Sequence, residues 1–319
     1  MKRVLITGIT GFAGSHLAEY LCSKKEYEIS GTYLLNKSLE NVDAIRDKIH
    51  LIKVDLTNAK KVLELVEITK PDLVFNMAGL PSTADSFKNP AETLINNISL
   101  EINLLSAIKE NKLLDAKILI ISSAEIYGLV KKEDLPIDEE TRLMPTSPYS
   151  VSKIAQDFLG LQYFLSYNLK IIRVRPFNHI GPRQSSHFVV AAIAKKIAEI
   201  EKGKRKPILA VGNLESKRDF TDVRDMVRAY AITLEKGQLG QVYNIGSGVS
   251  HRIYDILHKL LLQSRAKITV KSDKSLFRPI DNPELVCDAS KFKRLTNWKP
   301  EIELAVTLKD TLDYWRNIV

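Results

Sequence analysis

The chain has 319 residues, the length of about two domains, and is large enough to bury a substantial hydrophobic core. Apolar residues make up 45% and charged residues 27%, as in ordinary globular proteins, and no run of about eighteen apolar residues suggests a membrane span. The net charge of +9 suits small anionic ligands, because basic residues are scattered and cluster only at 202–206 (KGKRK). We therefore expect no membrane and no nucleic-acid partner.

Cysteine usage points to a reducing compartment. Cys22 and Cys287 are the only cysteines, and they lie too far apart in sequence to suggest a disulfide framework. The sequence also starts directly with a predicted strand rather than a signal peptide. We expect a cytoplasmic protein.

The first predicted elements form a strand, a glycine-rich turn and a helix. Residues 3–7 (RVLIT) are apolar and β-branched, the turn reads GITGFAG, and residues 15–24 place apolar side chains on one helical stripe. Gly8 would allow the tight turn, Gly11 the approach of a pyrophosphate, and Gly14 close packing of the helix. The helix N-terminus would add N–H groups for the anion. This order predicts a dinucleotide-binding site, although three turn glycines without a ligand remain an alternative.

Strand and helix signals then alternate along the chain. Further strands are predicted at 27–33, 50–54, 72–77, 117–122 and 169–174, and helices at 59–68, 90–111 and 148–167. Such alternation is typical of an α/β protein with one doubly wound parallel sheet, a Rossmann domain, that has helices on both faces.

The end of the second strand bears on the choice of cofactor. An acid about twenty residues beyond the glycines would bind the ribose 2′-hydroxyl of NAD, but residues 31–37 contain none and the first acid is Glu40. Lys37 could approach a 2′-phosphate, or it could simply point to solvent. The sequence favours NADP(H) over NAD(H).

The catalytic residues are predicted around a Tyr-x-x-x-Lys pair. Tyr149 and Lys153 would share one helix face, and Ser123 would follow a central strand at its carboxyl end, where α/β sheets bind ligands. Tyr149 would exchange a proton with the substrate oxygen, and Ser123 would hydrogen-bond that oxygen. Lowering the pKa of Tyr149 from about 10 towards 7 requires roughly 4 kcal/mol, which we expect the Lys153 ammonium and the oxidised nicotinamide to share. Glu125 is either a second acid/base or a capping, solvent-facing residue.

Three motifs together resemble one family. TGITGFAG (7–14), ISSAEIYG (121–128) and YSVSK (149–153) are similar to the signature of extended short-chain dehydrogenase/reductases, which modify nucleotide sugars. The resemblance continues through RPFNHIGP (175–182) and VGNLESKRDFTDVRD (211–225) and reaches the C-terminal motifs RP, DASK and WKP. It covers essentially the whole chain and is strongest for the branch that acts on GDP-mannose derivatives.

This resemblance implies an activity on a GDP-sugar. The expected reaction is reduction of the C4 ketone of GDP-4-keto-6-deoxy-D-mannose by NAD(P)H to GDP-D-rhamnose. Dehydration of GDP-mannose is the alternative, with Glu125 as the base at C5, and another nucleotide-sugar epimerase or reductase is a further one. An inactive nucleotide sensor is disfavoured by the intact Ser-Tyr-Lys set.

The resemblance also implies site residues. The cofactor would contact Gly8, Thr10, Gly11, Phe12, Ala13, Gly14, Lys37, Asp55, Leu56, Ala78, Gly79, Tyr149 and Lys153, with Asp55 and Leu56 beside the adenine. The GDP-sugar would contact Asn178, Arg183, Arg218, Arg278 and Asp281. Two departures stand out: Gly79 replaces an alanine, and Leu100-Glu101 replaces a Gly-Thr pair. We expect the second to affect helix packing more than chemistry.

Finally, the resemblance implies two lobes and an oligomer. The dinucleotide-binding domain would span 1–175, with 220–246 packing back onto it, and a smaller α/β substrate-binding lobe would span 176–319. Helices 90–111 and 148–167 would form a four-helix homodimer interface, with a tetramer left open.

Overall fold

The computed structural model describes residues 1–277 and 282–319, apart from the side chain of Lys37. Its strands are β1 Lys2–Thr7, β2 Tyr27–Tyr33, β3 Ile49–Lys53, β4 Leu73–Asn76, β5 Lys117–Ile121, β6 Lys170–Pro176, β7 Asn178–Ile180, β8 Ile208–Val211, β9 Lys217–Asp222, β10 Val242–Ile245, β11 Ser250–Arg252, β12 Thr269–Ser272 and β13 Glu284–Leu285. Its helices are α1 Phe12–Lys24, α2 Ala59–Thr69, α3 Thr83–Lys88, α4 Pro90–Glu110, α5 Pro148–Tyr167, α6 Val189–Glu201, α7 Val223–Lys236, α8 Ile253–Leu262, α9 Ser290–Thr296 and α10 Leu304–Ile318. Short 3₁₀ segments cover Asn36–Lys48, Ala124–Tyr127, Lys132–Asp134 and Lys274–Leu276.

A parallel sheet in the order β10-β6-β5-β4-β1-β2-β3 forms the centre of the molecule. The chain winds outward from β1 in both directions, so the doubly wound α/β class predicted from the sequence is confirmed. Side chains alternate across each strand: Val4 and Ile6 of β1 pack with α1 and α7, whereas Leu5 packs with α2 and α4. Both faces of the sheet are therefore covered, as a parallel sheet requires.

A second group of elements follows β6. Strands β11, β9 and β13 pair side by side, β7 also pairs with β9, and β12 pairs with β8. Helices α6, α8 and α10 bury Ile193, Leu257 and Leu312 in a separate apolar core. Helix α7 packs against α1, and β10 pairs with β6 at the edge of the large sheet.

Two local details differ from the sequence prediction. Helix α1 begins at Phe12 rather than at residue 15, because Gly11 already takes the extended N-cap conformation. Helix α3 and the 3₁₀ segment Asn36–Lys48 were not predicted, since neither has a clear apolar period. In the described residues, no helix is both long and apolar enough to cross a membrane.

Candidate active site

The glycine turn between β1 and α1, residues 8–14, is called the cradle below. Gly8 has φ +67°, a left-handed conformation that glycine adopts without strain, and Gly11 N donates to Gly8 O at 2.9 Å. A Cβ on Gly14 would lie 2.3 Å from Gly8 O, so only glycine fits at this contact. The first N–H groups of α1 have no partner within the helix and point into the turn. This close backbone approach at a helix N-terminus fits the pyrophosphate of a dinucleotide.

The turn is held beside the end of β2. Gly8 N donates to Thr32 Oγ1 at 3.0 Å, Thr10 Oγ1 lies 2.7 Å from Ser38 Oγ, and Asn41 Nδ2 donates to the Thr10 carbonyl at 2.9 Å. These contacts place hydroxyl and amide groups beside the glycine turn, at the end of β2. Ser38 and Asn41 were missed in the sequence because they belong to the unpredicted 3₁₀ segment. The Lys37 side chain lies outside the described parts of the chain.

Asp55 and Leu56 follow β3 at the same edge of the sheet. The carboxylate of Asp55 accepts hydrogen bonds from the Thr57 hydroxyl and N–H, at 2.7 and 2.9 Å, and these bonds lower the pKa of Asp55. Leu56 is buried, and its carbonyl accepts from Asn103 of α4 at 2.9 Å. The pair thus forms a small, fixed surface beyond β3.

The turn after β4 explains one departure from the family pattern. Gly79 has φ +152°, and a Cβ there would lie 3.0 Å from Asn97 Oδ1, which accepts from Leu80 N at 2.8 Å. Thr7 Oγ1 accepts from Ala78 N at 3.0 Å and ties the same turn to β1. Glycine is therefore the residue that fits at position 79, and Ala78 and Gly79 border the cradle.

Helix α5 begins with a capping arrangement that fixes Tyr149 in its first turn. The Ser147 side chain accepts from Ser150 N at 3.1 Å, the Ser150 hydroxyl accepts from Ser147 N at 3.0 Å, and Pro148 is the first helical residue. Lys153 follows one helical turn later. The Ser122 hydroxyl at the end of β5 donates to the Lys153 carbonyl at 3.2 Å and so joins strand and helix.

Ser123, Glu125 and Tyr149 lie together at the carboxyl end of β5. Burial raises the pKa of Tyr149 to about 12, the Ser123 hydroxyl opposes this rise, and the Glu125 carboxylate adds to it. The Ser123 oxygen also accepts from Glu125 N at 3.1 Å and caps the short 3₁₀ turn. The structure therefore brings three of the predicted chemical residues into one group.

The pKa of Tyr149 in the chain by itself is set by burial, whereas the sequence expectation includes the charge of an oxidised nicotinamide. The pKa of Tyr149 is raised rather than lowered, because burial outweighs every favourable interaction with the phenolate. Lys153 Nζ instead donates to Gln156 Oε1 at 2.7 Å, and burial lowers the pKa of Lys153 to about 8. A phenol with a pKa of about 12 is protonated at neutral pH, and it becomes a stronger proton donor only where a positive charge stabilises its phenolate.

Glu101 is a polar group near this site whose importance the sequence did not indicate. It is fully buried on α4, and Asn76 Nδ2 at the end of β4 donates to its Oε2 at 3.2 Å. Its charge interacts with that of Lys153. The Leu100-Glu101 departure is expected to affect helix packing more than chemistry, and the helix pattern does not indicate that Glu101 interacts with Lys153.

The predicted substrate residues are not all brought together. Asn178 begins β7 and is half-buried, and Arg218 is buried on β9, where it donates to the carbonyls of Lys217 and Asn282, both at 2.8 Å. Arg278 and Asp281 lie outside the described residues.

Arg183 occupies a different position, beside α1. Its guanidinium donates to Glu19 Oε2 at 2.6 Å and to the Asn41 carbonyl at 2.7 Å, and lies 3.0 Å from His16 Nδ1. Burial, with the charge of Arg183 as the second cause, lowers the pKa of His16 to about 4. The neutral His16 ring then accepts from Arg183 and donates through Nε2 to the Pro182 carbonyl at 3.0 Å. The structure does not bring Arg183 to the Tyr149 group.

His179 also lies at the cradle and was missed in the sequence. Its ring stacks on Phe12, the first residue of α1, with centroids 5.8 Å apart and planes 6° apart. Burial lowers the pKa of His179 and favours its neutral form. Phe12 and His179 are 167 positions apart, so no local sequence pattern predicts that their rings stack.

A pyrophosphate cradle beside a Ser-Tyr-Lys group, both at the carboxyl edge of a doubly wound sheet, defines a nicotinamide-dependent oxidoreductase of the short-chain dehydrogenase/reductase type. The family model described as GDP-mannose 4,6 dehydratase matches residues 5–311. The chain belongs to that family.

Individual relatives are similar over their full length. GDP-6-deoxy-D-mannose reductase from Pseudomonas aeruginosa is 32% identical over 318 residues, which cover 100% of this chain and 98% of the relative. GDP-mannose 4,6-dehydratase from Vibrio cholerae is 29% identical over 340 residues, covering 94% of this chain and 90% of the relative. Among solved structures, RMD from Pseudomonas aeruginosa complexed with NADPH has a TM-score of 0.86 and 31% identity, with 100% of both chains covered.

Proposed function

We propose that this chain reduces the C4 ketone of GDP-4-keto-6-deoxy-D-mannose with NADPH and releases GDP-D-rhamnose, also called GDP-6-deoxy-D-mannose. The observation that carries this proposal is the full-length similarity to a GDP-6-deoxy-D-mannose reductase. The group of Ser123, Tyr149 and Lys153 beside the glycine cradle supplies the chemistry that such a reduction needs.

The proposed mechanism assigns one task to each residue. A reduced nicotinamide, when bound, supplies a hydride for C4. Tyr149, which is protonated at neutral pH, donates its phenolic proton to the oxygen at C4. The Ser123 hydroxyl hydrogen-bonds the same oxygen and orients it. Lys153 provides a positive charge near the phenolate that remains on Tyr149.

The cofactor would be held by the cradle of Gly8, Gly11 and Gly14, with Thr10, Phe12 and Ala13 around it. We propose a preference for NADP(H). The absence of an acid in 31–37 and the hydroxyl of Ser38 support it, as does the NADPH complex of RMD. Asp55 and Leu56 would border the adenine.

The GDP-sugar would bind on the side of β7 and β9. We propose contacts through Asn178 and Arg218, since a guanidinium suits a diphosphate, and we retain Arg278 and Asp281 as predictions. We assign Arg183 instead to the contact between the proposed sugar-binding lobe and α1, because its guanidinium already contacts Glu19 and Asn41. On this basis 1–175, with 220–246, would bind the cofactor, and 176–319 would bind the sugar.

A homodimer is proposed through α4 and α5. These two helices pack together and leave large apolar side chains exposed, namely Ile95, Ile102, Val151, Phe158 and Leu165. Two such pairs would make a four-helix bundle. The free thiols Cys22 and Cys287 support the proposal of a reducing, cytoplasmic location.

Dehydration of GDP-mannose is the second candidate. The description of the family model favours it, and so does Glu125, whose charge acts on Tyr149 and which could serve as the base at C5. This reaction returns the hydride to C6 and consumes no cofactor overall, so it differs from the reduction in a measurable way.

Two assays with purified protein separate the candidates. GDP-4-keto-6-deoxy-D-mannose with NADPH should lose reduced nicotinamide in one-to-one ratio with a 6-deoxy sugar that carries a C4 hydroxyl. GDP-mannose alone should remain unchanged. Rapid formation of a 4-keto sugar from GDP-mannose without reductant would replace the proposed function by the dehydratase.

A further inference from the structure

The charges of two carboxylates, Asp157 and Glu101, act on Lys153. Lys153 Nζ donates to Gln156 Oε1 at 2.7 Å, and Gln156 Nε2 donates at 2.9 Å to the carbonyl of Asn97 on α4, one turn before Glu101. Asp157 lies one turn after Lys153 on α5 and accepts from Arg173 Nη1 at 2.7 Å and from Arg175 Nε at 2.9 Å. Both arginines belong to β6 and are buried with Asp157. Two guanidiniums therefore partly neutralise the charge of Asp157, which weakens its effect on Lys153.

The second carboxylate, Glu101, comes from the opposite side on α4. It is fully buried, and its Oε2 accepts from Asn76 Nδ2, which Thr7 holds through a hydrogen bond of 2.9 Å to Asn76 Oδ1. Within 1–277 and 282–319, Glu101 Oε1 has no hydrogen-bond partner. A buried carboxyl oxygen in that position is costly unless a charge nearby compensates it.

The charge balance of this region indicates what Glu101 does. Arg173, Arg175 and Lys153 are three buried or half-buried cations, whereas Asp157 is one carboxylate. An ionised Glu101 lowers the excess of positive charge in a site with little water. Burial raises the pKa of Glu101 well above its usual range, and the charge of Asp157 adds to the rise. The Lys153 ammonium and hydrogen bonds from Gln156 and Asn76 oppose it, so the charge of Glu101 depends on its partner Lys153.

We propose that Glu101 is a positioning residue that keeps Lys153 protonated in the active site. It does so from across the helix pair α4–α5, without contact to the reacting atoms. The proposal rests on the role assigned to Lys153 in the proposed function. The other charged group that acts on both members of this pair is Asp157, which is itself paired with Arg173 and Arg175.

The proposal fixes the sign of a pH effect. A neighbouring carboxylate favours the ammonium, so the neutral variant Glu101→Gln should lower the pKa of Lys153 from its value of about 8. A loss of about one unit is expected for a charge beyond direct contact. The alkaline limb of the rate profile then moves to lower pH by about one unit, and kcat at about pH 8 falls about fivefold, with little change near pH 6.

The experiment uses the full chain and a matched set of variants. Glu101→Gln and Glu101→Thr remove the charge, Glu101→Asp retains it, and Glu110→Gln removes an exposed charge from the same helix. Circular dichroism and Tm establish that each variant is folded. Two profiles are then measured from about pH 5.5 to about 9.5: kcat for sugar reduction, and Kd for NADPH in the absence of sugar.

Both profiles should move to lower pH in the neutral Glu101 variants that fold, and stay near wild type in Glu101→Asp and Glu110→Gln. Profiles that overlay wild type, or that drop equally at every pH, would overturn the proposal, because they indicate an uncharged Glu101 or a packing defect. Failure of both neutral variants to fold would also overturn it, by making Glu101 a structural residue. If wild type binds NADPH but does not reduce the sugar, the proposed function fails, and the NADPH profile alone decides the role of Glu101.

Discussion

Replacing Gly14 by alanine is the most direct test of the cradle. The added Cβ would lie 2.3 Å from Gly8 O and 3.0 Å from the Cα of Ile9. Both are backbone atoms and neither can rotate away. The Gly8 carbonyl is further held because it accepts from Gly11 N at 2.9 Å. Relief of the overlap therefore requires the turn to separate from the first turn of α1.

The size of the effect follows from that overlap. Forcing an extra carbon into a packed site costs about 1–3 kcal/mol, and about 2–4 °C of Tm is lost per kcal/mol in a domain of this kind. Moving the turn also misaligns the N–H groups that would hold the pyrophosphate. We expect Kd for NADPH to rise about tenfold to a hundredfold, which equals roughly 1.4–2.8 kcal/mol.

Fluorescence titration with NADPH measures the first effect, and thermal unfolding measures the second. Gly203→Ala is the matched control: Gly203 has φ +69°, and a Cβ there meets no atom within 4 Å. It should lower Tm slightly through backbone strain and leave Kd unchanged. An unchanged Kd in Gly14→Ala, at wild-type Tm, would refute the assignment of this turn to the cofactor.

Three further outcomes are expected. Tyr149→Phe should lower kcat by about a hundredfold or more and leave Kd for NADPH close to wild type, whereas Lys153→Met should impair both; near-normal turnover of the first variant would contradict the mechanism. With no acid in 31–37, kcat/KM for NADPH should equal or exceed that for NADH, and a strong preference for NADH would reverse the cofactor assignment. Phe158→Glu should give monomers in light scattering, and Ile68→Glu on α2 should not; an unchanged mass would exclude the α4–α5 interface.

The elements around the glycine turn were predictable because their signals are local. The apolar run of β1, the spacing of Gly8, Gly11 and Gly14, and the apolar stripe of α1 all lie within one short segment. Helix α5 was equally clear, because Ser147 and Pro148 mark its beginning in the sequence. Element type and order could therefore be inferred without knowledge of distant contacts.

The contacts between distant segments could not be predicted in the same way. The charges of Glu101 and Lys153 interact because α4 and α5 pack together, and neither helix pattern indicates which polar residue lies near the other. His179 meets Phe12 only because β7 returns to the start of α1. The effect of burial on the pKa of Tyr149 could not be predicted for the same reason, since the extent of its burial is a property of the whole fold.

Buried polar atoms without a hydrogen-bond partner lower the stability of the folded protein. In the described part of the chain, such atoms include Glu101 Oε1 and Arg173 Nε beside Lys153 and Asp157, and Asn282 Oδ1 next to Arg218. Each unsatisfied group costs about 1–3 kcal/mol, a large amount against the net stability of a domain. A sequence optimised for stability alone would have apolar groups at such positions. The same set of unpartnered atoms also includes Gln184 Oε1, Thr221 Oγ1 and Trp315 Nε1. Those beside Lys153 and Arg218 are the ones that a site for protons and anions would use.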